Sequence, residues 1–89
     1  MPSRADSSMQ EDTPLAQAQN AVDRFSNAVA DAETRPSETL IRQAHQAEER
    51  TKNALSQLEE AEHQEPVERL KERFEEQQSR LQQTESELQ

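Results

Sequence analysis

Apolar and small residues recur along this chain at alternating spacings of three and four, in three separate stretches. The first runs Leu15, Ala18, Val22, Phe25, Val29, Ala32; the second Leu40, Ala44, Ala47, Thr51, Ala54, Leu58, Ala61; the third Val67, Leu70, Phe74, Gln77, Leu81, Thr84, Leu88. A repeat averaging about 3.5 residues keeps one seam of an α-helix turned towards a neighbouring helix, whereas a half-buried strand needs strict alternation. The pattern therefore predicts an all-α fold of three amphipathic helices. The residues expected to carry the contacts are Val22, Phe25 and Val29 in the first helix, Leu40, Leu55 and Leu58 in the second, and Leu70, Phe74 and Leu81 in the third. Phe25 and Phe74, the only aromatic residues, sit at the centres of their seams.

The breaks between stripes set the domain organisation. Residues 1–13 are polar and aperiodic and are expected to form a disordered tail, with residues 14–89 as the helical part. Thr13 offers a cap and Pro14 suits the first helical position, so the first helix is expected over about 14–33. In Thr34-Arg35-Pro36-Ser37 the proline disfavours helical geometry at Arg35, and either Thr34 or Ser37 can cap a second helix over about 36–63. Gln64-Glu65-Pro66 is a weaker break. Pro66 either opens a third helix over about 66–89 or only kinks one long helix. Ile41 and Leu55 widen the face of the middle helix enough to touch two neighbours, which is what an antiparallel three-helix bundle with short connections requires. A kink at Pro66 would give instead an elongated, dimeric helical hairpin.

Composition sharpens this picture. Leu, Ile, Val and Phe make up well under a fifth of the 89 residues, a fraction usually associated with disorder, so the core is expected to be marginal and a partner helix or self-association to be favoured. The formal net charge is -9, from 19 acidic and 10 basic residues, which disfavours nucleic acid and anionic membrane surfaces. The acidic, lysine-poor balance suits a salty cytoplasm or, equally, a solvated coiled-coil surface. The absence of Cys excludes disulfides and thiolate metal sites. No stretch approaches the ~20 apolar residues that span a bilayer, and the N-terminal stretch lacks an apolar signal-peptide core, so a cytoplasmic location is expected.

Candidate chemistry is sparse. Without Gly there is no phosphate-cradling loop of the usual kind, and no strand is present to carry a nucleophile elbow. His45 and His63 are 18 residues apart, about 27 Å along an unbroken helix, so one metal cannot bind both. His45 reads as a solvated side chain near Glu48 and Glu49, and His63 as a cation near a helix C-terminus. Glu60 and His63 have the Glu-x-x-His spacing of di-metal bundles, but it occurs once and beside the seam. The clustered glutamates read as solvated faces. Gln77, within the third seam, is either a buried amide that fixes register or a sign that the last helix is half buried. No cofactor, metal or catalytic residue is expected.

From Gln17 to Gln83 the chain resembles small uncharacterised all-helical proteins of spore-forming bacilli. The similar features are the Ala-rich first helix, Ala44 and Ala47 leading to Ala54-Leu55 and Leu58-Glu59, then Glu68-Arg69-Leu70 and Gln77-Gln78-Ser79-Arg80-Leu81-Gln82-Gln83. The resemblance implies a small cytoplasmic helical protein and supplies no site residues; Pro66 and the acidic balance depart from that group. The functional expectation is a non-enzymatic protein–protein interaction or structural module that self-associates, for example as a homodimer, or binds another helix. The rival expectation is a largely disordered acidic protein with a solvation or stress-protective role that folds on binding.

Overall fold

The computed structural model describes residues 13–61 and 64–88, with 61 and 64–66 described for the backbone alone. These residues form three helices: α1 (Pro14–Thr34), α2 (Glu38–Ala61) and α3 (Gln64–Leu88). They pack as an antiparallel three-helix bundle. The tail, His63 and the Glu60–His63 pair lie outside the described residues or depend on residues that do.

Local chemistry explains the boundaries. The extended backbone of Thr13 (φ −72°, ψ 148°) lets its hydroxyl oxygen accept from the Ala16 amide at 3.1 Å, and Pro14 follows at the first helical position. The last turn of α1 closes with the Arg35 amide donating to the Asp31 carbonyl at 3.0 Å, after which Pro36 bars further helix. Of the two candidate caps for α2, Ser37 does the work: the Leu40 amide donates to its hydroxyl oxygen at 3.1 Å and the Ile41 amide to its carbonyl at 3.0 Å. Because a cap lies outside the helix it starts, α2 begins at Glu38, two residues later than expected. Glu38 then places a carboxylate against the positive end of the helix.

The α3 helix begins at Gln64, so Pro66 is its third residue rather than its first. Amides in the first turn have no intrahelical partner, and proline costs no hydrogen bond there. The α3 helix runs back along α2. Glu59 pairs with Lys71, Glu48 with Gln78 and His45 with Glu85, an antiparallel run of contacts between α2 and α3. Pro66 is therefore not the kink of an elongated hairpin.

Every seam position of α1 from Ala18 to Ala32 is buried, with Leu15 partly so. In α3 the seam is buried from Val67 through Leu70, Phe74, Gln77, Leu81 and Thr84, and it ends at Leu88, which is 39% exposed. The α2 face is rotated from the expected stripe. Ile41, Ala44, Thr51, Leu55 and Leu58 are buried, whereas Leu40, Ala47 and Ala54 are only partly covered. A helix packed against two neighbours centres its widest arc between them, so the large flanking residues Ile41 and Leu55 turn inwards and Leu40 moves to the edge. Phe25 and Phe74 meet with ring centroids 5.3 Å apart and planes tilted by 53°, within the separation at which aromatic pairs gain beyond their burial.

Candidate functional site

Polar side chains cluster where the helices meet. On α2, His45 and Glu48 stand one turn apart; on α3, Gln78 and Glu85 stand seven residues apart and so share a face. The His45 ring lies between two carboxylates, with Nδ1 2.9 Å from Glu48 and Nε2 3.1 Å from Glu85. The Gln78 amide nitrogen donates to the other Glu48 oxygen at 2.7 Å. A carboxylate accepts only, so both ring contacts can be hydrogen bonds at once only when the imidazole carries both protons. The His45 pKa is accordingly raised, chiefly by the Glu48 hydrogen bond, against the lowering effect of partial burial and with Glu85 adding to the rise. For Glu48, burial pushes the pKa up, but the Gln78 amide, His45 and Lys52 together outweigh it and hold the carboxyl below its ordinary value. The clasp ties α2 to α3. It does not make a metal site, because the carboxylates meet opposite edges of the ring; among the described residues no three His, Cys, Asp or Glu side chains are grouped to hold an ion.

Three further polar residues lie in the core. The Thr51 hydroxyl sits 2.7 Å from the Ala47 carbonyl of its own helix and 3.0 Å from the Ala21 carbonyl of α1, so its single proton is shared between two helices. Only a close approach of α1 and α2 permits that contact. Gln77 is buried at 8% exposure, and its carbonyl oxygen has no hydrogen-bond partner. Of the two sequence readings of Gln77, the buried amide is the one the structure has. Thr84, also buried, donates to the Arg80 carbonyl at 3.0 Å.

The rim carries ion pairs between α1 and α3: Arg73 to Asp23 at 2.8 Å, and Arg80 to Glu33 in two bonds of 2.9 and 2.6 Å. These pairs join parallel helices, in keeping with the up–down–up order. Between α1 and α2, by contrast, an open groove of about 250 Å³ is lined by Gln17, Asn20, Ala21, Arg24, Ala47 and Arg50. Its floor is small and partly buried, and its walls include no carboxylate.

Of the sequence-selected residues, Val22, Phe25, Val29, Leu55, Leu58, Leu70, Phe74 and Leu81 are all buried, and Leu40 lies at the margin. The cross-helix roles of Gln78, Glu85 and Thr51 went unseen, because single-helix periodicity says nothing about which side chains of two helices meet. Arg24 and Arg50 have no acidic residue three or four positions away on their own helices. Comparison with protein-family models, curated proteins and solved structures finds no match. No helix among the described residues is long and apolar enough to cross a membrane.

Proposed function

We propose that this chain is a non-enzymatic interaction or structural module of the cytoplasm, a small acidic helical bundle that acts by presenting helix faces to another helix or to a second copy. The observation that carries this reading is an open groove along the closely packed α1–α2 pair, where Ala21 and Ala47 are only partly covered, whereas the rim of the α1–α3 pair is bridged by ion pairs. A core with Ala, Thr and Gln at many seam positions also gains from added apolar contact.

Thermal unfolding followed by circular dichroism over a hundredfold range of protein concentration, with sedimentation velocity on the same samples, tests the reading. Mass action predicts a melting temperature that rises with concentration when folded chains associate. A high melting temperature that does not move, in a strictly monomeric sample, removes the need for a second helix and counts against the proposal.

A further inference from the structure

The groove between α1 and α2 has an unusual charge for this protein. Every other Lys or Arg after Thr13 has an Asp or Glu three or four positions away, as Arg42 has Glu38 and Arg80 has Glu76. Around Arg24 those positions hold Asn20, Ala21, Asn27 and Ala28; around Arg50 they hold Gln46, Ala47, Asn53 and Ala54. On a helix surface these are the neighbours a side chain can reach, so neither guanidinium has an acidic partner on its own helix. Nor does either form an ion pair across helices among the described residues, although Arg73 and Arg80 both do. In a chain of net charge -9, two exposed arginines on different helices thus line one groove without a counter-charge among the described residues.

The groove floor suits a helix. Thr51 holds the α1 backbone close to α2 through the Ala21 carbonyl, and Ala21 and Ala47 add no bulk above that contact. Helix axes approach to about 8–10 Å depending on the side chains between them, and alanines favour the near end. We propose that this groove docks an amphipathic helix of a partner protein whose apolar edge lies over Ala21 and Ala47 and whose flanking Asp or Glu side chains pair with Arg24 and Arg50. This names the partner chemistry for the interaction role given above and rests on that reading. A second copy is the poorer occupant, because a two-fold contact through this face would set the same arginines against each other. Arginine is suited to the role, since its planar fork can take a carboxylate with two hydrogen bonds.

The test uses the full chain with a synthetic helical peptide of about six turns that carries a Leu/Ala edge flanked by Glu, and a second peptide with every Glu replaced by Lys. Amide NMR titration should move the resonances of Ala21, Arg24, Ala47 and Arg50 with the Glu peptide and leave them in place with the Lys peptide. Binding should weaken as salt is raised. The double variant Arg24→Glu/Arg50→Glu should lose at least tenfold in affinity with an unchanged circular dichroism spectrum, and Arg24→Lys/Arg50→Lys should retain most of it. Equal binding of both peptides, shifts confined to the outer face of α3, no binding at all, or a preference for anionic vesicles over the peptide would each overturn the proposal. If the peptide fails while the protein self-associates, this inference falls alone. If the peptide fails and the protein is a stable monomer at every concentration, the interaction reading falls with it.

Discussion

Replacing Phe74 by Ala probes the centre of the bundle. The ring is 7% exposed and lies 5.3 Å from Phe25, so the substitution removes a buried aromatic surface and half of the only ring pair. Buried Phe→Ala changes typically cost about 3–5 kcal/mol, which includes the cavity left behind. Domains are stabilised by roughly 0.05–0.15 kcal/mol per residue, which for a helical unit of this size amounts to about 4–11 kcal/mol. The substitution should therefore remove between about a quarter and all of the stability. Urea unfolding monitored at 222 nm reads this directly, as a fall in midpoint with the slope unchanged. Phe74→Leu, which keeps most of the volume, should cost less than about 1.5 kcal/mol. Leu88→Ala, at the exposed end of the same seam, should cost only a few tenths of a kcal/mol. A loss below about 1 kcal/mol at Phe74 would refute its place in the core. Intact folding with lost self-association would assign the ring to an interface instead.

Three other outcomes are expected. Ser37→Ala removes the oxygen that accepts the Leu40 amide and should cost about 1 kcal/mol in the same urea assay, with no change beyond error placing the α2 cap elsewhere. Gln77→Leu replaces a buried amide whose oxygen has no partner, and should raise the melting temperature; destabilisation by more than about 1 kcal/mol would show that the amide is satisfied in solution. His45 has a folded pKa raised above its unfolded value, so its contribution is fully present below the unfolded pKa and is lost as pH rises through the folded one. The melting temperature of the wild type should thus fall more than that of His45→Ala between pH 5 and 8, and parallel curves would remove the charged clasp.

The extent to which the fold was legible follows from what each stretch asks of its sequence. Where a helix buries one narrow face, as α3 does, the 3-4 spacing names the buried residues from Val67 to Thr84, and even Gln77 takes its place by position against its chemistry. Where large apolar residues flank the seam, as Ile41 and Leu55 do in α2, the buried arc is wider than the seam, and spacing alone fixed its centre about one residue from the true one. Leu40 and Ile41 show the cost of that ambiguity, since both are apolar and only packing distinguishes them. The Ser37 and Thr34 caps were equivalent in the sequence; the position of Pro36 between them decided for Ser37. The clasp of His45, Glu48, Gln78 and Glu85 depends on helix pairing and register, which no local pattern encodes.

That register has a physical source in the groups at the edge of the core. Three amphipathic helices can close into a bundle of either hand and can slip by a turn without leaving the core empty, especially where Ala and Thr fill seam positions. Apolar contact discriminates poorly among those arrangements. The polar contacts discriminate well, because each needs a particular pair at hydrogen-bond distance: Thr51 with Ala21 sets α1 against α2, Gln78 with Glu48 sets α3 against α2, and Arg80 with Glu33 sets α3 against α1. Exposed ion pairs contribute only about 0.2–1 kcal/mol each to stability. A slip by one turn would separate such pairs along the whole α1–α3 edge together, and it would also part Phe25 from Phe74. The rim thus adds little to how strongly the chain folds and much to which bundle it forms.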